Sequence, residues 1–491
     1  MPGRLDDKDR EFFQLVSRAA YVNPFSEERD ELDVAISNTE GDDPNLIDRL
    51  VARVEAHLVA LDERGELDPD AFAHRDWQLV EHAVLFECFH RYAERIDALI
   101  EAQLAAGDRP VEVPFAAEVL ARLRSRGIAK ERSIRMLSLF WQMRRAYYFI
   151  VTSLTGVSPS MKRLREALWN DVFTHDGARY EERLWDRLED FSLIIRGETG
   201  SGKGQAAAAI GRSGYIPFDE SKGTFEASFT ELFVPINLSQ FPESLIESEL
   251  FGHKKGAFTG AVDSHAGVFS RCRAQGAIFL DEIGEVSIPV QIKLLRVLQD
   301  RVFTPVGSHE ERRFEGRVIA ATHRDLDEAR RERRFRNDFY YRLCSDVLEV
   351  PPLRVRLAED PEELGVLVRH LVERIVGQPD EEVAARVIEV VRKDLPKDYA
   401  WPGNVRELEQ CVRRVLLTGH FSPDPAAGAH AEGADDLLGR IREGTLEARD
   451  LLAEYCALLH ARHGTYEEVA RITGLDRRTV KKYVQQITDS E

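Results

Sequence analysis

FSLIIRGETGSGKGQAAAAI, residues 191–210, decides how the middle of this chain folds. The apolar run from Phe191 to Ile195 has the length of a buried strand, a glycine-rich turn follows at once, and the alanines from Ala206 on favour a helix. Across the turn Gly197, Glu198, Thr199, Gly200, Ser201, Gly202 and Lys203 spell G-x-x-x-x-G-K. Between a strand and a helix, that spacing lets backbone N–H groups converge on phosphate oxygens while the lysine adds a cation at the β and γ positions. The next residue, where a Ser or Thr hydroxyl often holds magnesium, is Gly204.

The second half of a nucleotide site is a strand ending in acid, and GAIFLDE, residues 276–282, supplies it. Asp281 is expected to hold Mg2+ through water, and Glu282 to orient or deprotonate the attacking water. Further strand patterns occur at ELFVPIN (231–237) and RVIAAT (317–322), with helical stretches between them. Strands alternating with helices predict a mostly parallel sheet covered on both faces. Hydrolysis also needs positive charge at the transferring phosphoryl group, which Arg336 and Arg342 of FRNDFYYRL (335–343) offer. Their bland reading is a pair of surface arginines in a basic stretch.

At 491 residues the chain exceeds what one core usually supports, so two to four domains are expected. With 43% apolar and 31% charged residues it has the composition of a globular protein. No apolar run reaches membrane-spanning length and the first residues lack the apolar stretch of a secretion signal, so a cytoplasmic protein without membrane contact is expected. The five cysteines are scattered and never in C-x-x-C spacing, which argues against disulfides or a zinc site. A net charge of -19 disfavours general nucleic-acid binding, so any DNA contact needs a local basic patch.

That patch lies in TYEEVARITGLDRRTVKKYVQQ, residues 465–486. Ala470 allows close helix packing, Gly474 permits a turn, and Val480 returns an apolar side chain to the core, the spacing of a helix-turn-helix. Arg477, Arg478 and Thr479 open the second helix, where base edges are read, and Lys481 and Lys482 suit phosphates. At the other end, Asp9 to Leu154 is helical throughout by pattern. Its Glu87-x-x-His90 spacing resembles a metal-ligand pair, but no second such pair occurs, so a structural histidine is expected. The aromatic run FWQMRRAYYFI (140–150) suits a core more than a ligand pocket.

From about Gly156 to about Leu416 the chain resembles the AAA+ ATPase domain of bacterial enhancer-binding proteins, the activators of sigma-54 RNA polymerase. The resemblance rests on ESELFGHKKGAFTGA (247–261), LLRVLQD (294–300), FRNDFYYRL, PPLR (351–354) and WPGNVRELE (401–409), in family order. It implies that 197–203 is the Walker A loop, with Gly204 beside it, and that Asp281 and Glu282 are the Walker B pair. Asn237 would pair with the Walker B glutamate, Arg336 and Arg342 would reach a neighbouring subunit's nucleotide, and Arg406 would be the sensor II arginine. Gly256, Ala257, Phe258, Thr259, Gly260 and Ala261 would form the loop that contacts sigma-54. His323 stands where the family usually has a sensor I asparagine, and Lys254 where relatives often carry an acid. The stretches between Trp169 and Asp190 and between Gly211 and Thr230 look longer than the family's.

The expected architecture is therefore multidomain α and α/β. An all-helical N-terminal regulatory domain (1–154) precedes an AAA+ P-loop α/β core (155–350), a helical lid (351–417), a linker (418–440) and a Fis-like helix-turn-helix (441–491). The implied function is an ATP- and Mg2+-dependent transcription activator that binds upstream, palindromic DNA as a dimer, forms a hexameric ring and remodels sigma-54 RNA polymerase. The N-terminal domain would answer an unidentified signal or ligand. The alternative is a DNA-binding regulator with a vestigial, non-hydrolysing AAA+ domain.

Overall fold

The computed structural model describes residues 5–39, 43–65, 67–187, 190–396, 399–422, 437, 440–441, 444 and 446–488. The chain forms two compact units, Met1–Glu198 with Gly202–Pro351, and Thr199–Ser201 with Pro352–Glu491.

The first unit begins with helices α1 (Asp7–Tyr21), α2 (Glu27–Ser37), α3 (Leu46–Glu63), α4 (His74–Arg91), α5 (Ala93–Ala106), α6 (Ala116–Ser125), α7 (Lys130–Ser153) and α8 (Pro159–Phe173). Local chemistry sets several ends. Asp6 accepts from Asp9 N at 2.7 Å and Ser26 from Arg29 N at 3.4 Å, satisfying N–H groups that the first turns leave open. Helix α7 carries buried residues around its circumference, from Met136, Leu137 and Phe140 to Trp141, Arg145 and Phe149. Its middle is therefore packed on most sides, with exposure left to the ends at Lys130, Glu131, Val151 and Thr152.

The α/β part follows as β1 (Leu193–Arg196), α9 (Lys203–Gly211), β2 (Phe233–Asn237), α10 (Glu243–Phe251), β3 (Ala277–Asp281), α11 (Ile288–Asp300), β4 (Arg317–Thr322), α12 (Leu326–Arg331), α13 (Asn337–Leu343) and β5 (Asp346–Glu349). The strands form one parallel sheet in the order β2-β3-β4-β1-β5. Alternation along the strands divides the core. Leu193, Ile195, Ala277, Phe279, Ile319 and Ala321 face one side, and Ile194, Ile278, Leu280, Val318 and Ala320 the other.

The first of those faces shares a continuous core with the N-terminal helices. Trp141 of α7 stacks on Phe225 at 4.9 Å between ring centroids, and Phe149 meets Phe229 edge-on at 5.2 Å. Phe218 N donates to Ser138 Oγ, and the buried Arg145 guanidinium donates to Arg212 O and Gly214 O, just past the end of α9. The expected boundary at 154 is therefore no gap in packing. The long stretch between Gly211 and Thr230 supplies the aromatic residues that α7 covers.

In the second unit, α14 (Leu353–Glu359), α15 (Glu363–Val376), α16 (Glu381–Asp394) and α17 (Asn404–Thr418) pack around Leu367, Leu371, Val387, Leu408 and Val412. Gly419, left-handed at φ 80°, closes α17 at the expected end of the lid. Of the expected linker, 423–436 and 438–439 lie outside the described residues. Three further helices follow, α18 (Ala448–His463), α19 (Tyr466–Thr473) and α20 (Arg477–Thr488), around Cys456, Val469 and Val480. Among the described residues no helix is long and apolar enough to cross a membrane.

Candidate functional site

The loop from Gly197 to Lys203 joins β1 to α9. Gly197, Gly200 and Gly202 take φ of 155°, 78° and 116°, conformations that favour glycine. Lys203 is buried and its ammonium donates to Gly197 O at 2.8 Å and Glu198 O at 3.0 Å, so it folds back over its own loop. Gly204 opens onto free space, with nothing within 4 Å of where a Cβ would stand. Within the second unit, the loop tip meets the start of α17. Asn404 Nδ2 donates to Thr199 O at 3.2 Å, and a Cβ on Gly200 would lie 2.3 Å from Gly403 O and 3.0 Å from Arg406 Cβ. Gly200 is thus required by close approach as well as by φ, and Arg406 stands beside the loop tip.

The carboxyl ends of β2, β3 and β4 carry Asn237, the Asp281-Glu282 pair and His323. Asn237 and Asp281 are register partners on adjacent strands, and Asn237 Nδ2 donates to Asp281 Oδ2 at 3.1 Å. The expected pairing of Asn237 with Glu282 is not what the structure has. Glu282 lies one residue beyond the ladder in a left-handed conformation, φ 59°, which turns it from β2 toward β4. There the residue after Thr322 is His323, whose Nδ1 lies 2.7 Å from Glu282 Oε2. Sequence reasoning named His323 as a nucleotide sensor but missed this bond, because it depends on the backbone turn at Glu282.

Arg336 stands half-buried at the N-cap position of α13, and its guanidinium pairs with Asp338 at 2.7 Å; its backbone N–H is held by Gln291 Oε1 at 2.9 Å. Arg342, near the end of α13, is exposed and donates to Leu298 O at 3.0 Å. Among the described residues neither arginine shares a hydrogen bond or ion pair with Glu282: Arg336 bonds Gln291 and Asp338, and Arg342 bonds Leu298.

The segment after α10 forms a finger. His253 and His265 exchange backbone hydrogen bonds of 3.0 Å, and Gly256 N donates to Ala261 O at 2.8 Å, closing a stem below the tip. Gly256 and Gly260 adopt φ of 79° and 102°. Phe258 is 38% exposed and rests edge-on against the His253 ring at 4.9 Å, while Thr259 is exposed. The neighbouring loop supports the finger's base: Lys254 N donates to Val306 O, and a Cβ on Gly307 would fall 2.7 Å from Ala257 Cβ. Lys254 Nζ faces Glu310 at 3.9 Å.

On α20 Arg478, Lys481 and Lys482 are exposed, and Arg477 pairs with Glu467 at 2.8 Å. Asp476 caps the helix through Arg478 N and Thr479 N and also takes the Thr479 hydroxyl, which holds its carboxyl below the ordinary range. In the N-terminal helices Glu87 and His90 part company. Glu87 is buried among Arg91 and Arg122, whereas His90 Nε2 accepts from Arg29 at 3.2 Å. The pair makes no ligand set, and among the described residues no group of three or more His, Cys, Asp or Glu is arranged to hold a metal.

Residues 182–349 match the Sigma-54 interaction domain, and residues 359–422 match the AAA+ ATPase lid domain. The regulatory protein AtoC of Escherichia coli (strain K12) is 31% identical over 353 residues, covering 68% of this chain and 72% of that protein. The DNA-binding transcriptional regulator NtrC of Azospirillum brasilense is 42% identical over 226 residues, 46% of this chain and 43% of that one. The transcriptional regulatory protein ZraR of Klebsiella oxytoca is 38% identical over 301 residues, with 59% and 62% covered. The chain thus spans less than two thirds of the last two relatives.

Proposed function

Since this chain belongs to the bacterial enhancer-binding proteins, the sigma-54-dependent transcriptional regulators, we propose that it is an ATP-driven activator whose finger at Phe258 and Thr259 works on sigma-54 RNA polymerase. The observation that carries the reading is the finger itself. An aromatic ring and a hydroxyl stand exposed above a stem closed by the Gly256 N to Ala261 O bond, on the segment that follows α10. An exposed ring fixed on a hinged stem suits a surface that engages a partner.

The loop around Lys203 would hold the phosphates of ATP, with Arg406 reaching the nucleotide from α17. Asp281, already accepting from Asn237 and from Glu282 N, would hold Mg2+ through water, an arrangement suited to an ion that keeps most of its waters and needs few carboxylates. When bound, that ion neutralises charge on the β and γ phosphates. Glu282, released from His323, would orient the attacking water. Arg336, half-buried, and Arg342, exposed, are bonded to groups other than Glu282 and would serve the nucleotide of the next subunit in a hexameric ring. The helices α19 and α20, turning at the left-handed Gly474, would form a helix-turn-helix that reads DNA with Arg477, Arg478 and Thr479 and grips phosphates with Lys481 and Lys482. Leu452 and Tyr455, exposed on α18, would supply the dimer seam for a palindromic site. The N-terminal helices would regulate the ATPase.

ATP turnover and open-complex formation by the full chain, compared with Thr259→Ala, test the reading. The activator predicts turnover in both proteins and open complexes only in the first. ATP binding without turnover in the full chain would leave a DNA-binding regulator with a vestigial ATPase.

A further inference from the structure

We infer that the cavity enclosed by α1, α4, α7 and α8 binds a small, uncharged, mostly apolar molecule with one hydrogen-bonding group, and that its occupancy is passed to the end of α9. The cavity measures about 80 Å³. Phe86, Phe89, Met136, Phe140, Met143 and Phe173 form its walls. It shares Val22, Arg29, Phe89, His90 and Met143 with a wider groove of about 830 Å³, which gives an occupant a way in and holds the part of a six-membered ring that exceeds the cavity.

The charge of the occupant follows from the partners that the charged groups already have. Arg29 is committed to Asp33 at 2.7 Å, to Ala19 O at 3.1 Å and to His90 Nε2 at 3.2 Å. Glu181 is held by Arg132 at 3.0 Å and by the Tyr21 hydroxyl. A charged molecule would lose its water among apolar walls and find no free counter-charge, a cost that a neutral molecule avoids.

The hydrogen-bonding group follows from the two histidines. An arginine only donates, so His90 Nε2 is the unprotonated nitrogen and the proton sits on Nδ1. His82 spends Nδ1 on Ser17 Oγ at 2.8 Å. Neither His90 Nδ1 nor His82 Nε2 has a hydrogen-bond partner among the described residues. Burial holds both rings in the neutral form, His82 at about 4 and His90 well below its usual range.

Transmission needs a wall that also touches the ATPase. Tyr180 lines the cavity, and Gln142 Nε2 donates to its hydroxyl at 2.7 Å and to Ser213 O at 2.9 Å, two residues past α9. Arg145, one turn along α7, grips Arg212 O at 2.6 Å and Gly214 O at 2.7 Å. A shift of Tyr180 or α7 therefore moves the far end of the helix that begins at Lys203. This part rests on the ATPase reading; the binding does not.

The test titrates the full chain with cyclohexanol and with cyclohexanecarboxylate, similar in size and different in charge, by calorimetry. Saturable binding of the alcohol is expected, with the carboxylate about tenfold weaker or worse. Met136→Trp, which fills the space, should abolish binding; if it does not fold, His82→Leu and His90→Leu, which keep the volume, should together weaken the alcohol by about tenfold. No saturable binding of cyclohexanol, equal binding of the carboxylate, or undiminished binding in the variants overturns the site. Cyclohexanol should also change ATP turnover in the wild-type chain, and Gln142→Leu should bind it equally while losing that response. Equal responses, or no response in either, overturn the transmission; a chain that binds the alcohol but never hydrolyses ATP refutes the ATPase reading and, with it, the transmission, and leaves the binding site standing.

Discussion

His323 Nδ1 stands 2.7 Å from Glu282 Oε2, while Asn237, across the sheet, is bonded to Asp281. The imidazole thus occupies one oxygen of the carboxylate assigned to water activation. Glu282→Gln should lower ATP turnover by a factor on the order of 10² to 10⁴, as loss of a general base does. His323→Asn retains a side chain able to donate to Glu282 and should keep turnover near wild type, whereas His323→Ala should change it strongly. Asn237→Ala should leave the Glu282 contact intact and instead raise the Mg2+ needed for half-maximal turnover. Steady-state rates against Mg2+ concentration separate these outcomes; a collapse in Asn237→Ala that excess Mg2+ does not restore would instead support the pairing of Asn237 with Glu282 that the resemblance implies.

Gly204 leaves open space at the start of α9, with nothing within 4 Å of a Cβ and no positive φ. Gly204→Ser should therefore fold as stably as wild type and supply the missing hydroxyl. The expected result is half-maximal ATP turnover at several-fold lower Mg2+, measured against an unchanged melting temperature.

Phe258→Ala and Thr259→Ala remove exposed groups and should leave ATP turnover largely unchanged while abolishing open-complex formation. Gly256→Val tests the stem instead. Its φ of 79° is costly for a β-branched residue, so this variant should also lose open complexes, with the finger becoming a site of proteolytic cleavage.

The conformations of the glycine turn before α9, the acidic end of β3 and the finger were legible in the sequence because each depends on local chemistry: glycines at fixed offsets, a strand running into acid, an aromatic between glycines. The Glu282 to His323 bond was not, since it needs both the order of the strands and a left-handed residue at Glu282. Nor was the union of α7 with the ATPase. A helix whose middle is buried on most sides shows no clean polar face to tell which neighbours it joins, and Arg145, in the run QMRRAYY, reads as a surface charge although its guanidinium is buried on backbone carbonyls.

His82 gives the fold a pH dependence. Burial lowers its pKa from 6.5 to about 4, against an opposing pull from Glu181 and with a further push from Arg132. The unfolded chain therefore binds a proton that the folded chain resists, and the stability present above pH 6.5 is lost as pH falls toward about 4. His82→Gln should flatten the fall in melting temperature over that window; an unchanged slope would show that His82 is not its source.

The shared core also decides what happens when the N-terminal helices are removed. A chain starting near Gly156 would keep every residue of the nucleotide site, and with an independent regulatory domain it would fold and show the ATPase without restraint. The packing argues otherwise. Phe225 would lose the ring of Trp141 stacked on it, Phe229 would lose Phe149, and Arg212 O and Gly214 O would lose the Arg145 guanidinium. Phe229 is fully buried in the whole chain, and uncovering it with its neighbours creates an apolar patch of the kind that drives association. The truncated chain should therefore aggregate or melt well below the full chain. Arg145→Met isolates one part of this effect: it removes a buried cation and orphans two carbonyls, which should cost about 2–4 kcal/mol in denaturant unfolding. A soluble truncation that melts cooperatively at the temperature of the full chain would show that α7 rests on the ATPase without supporting it.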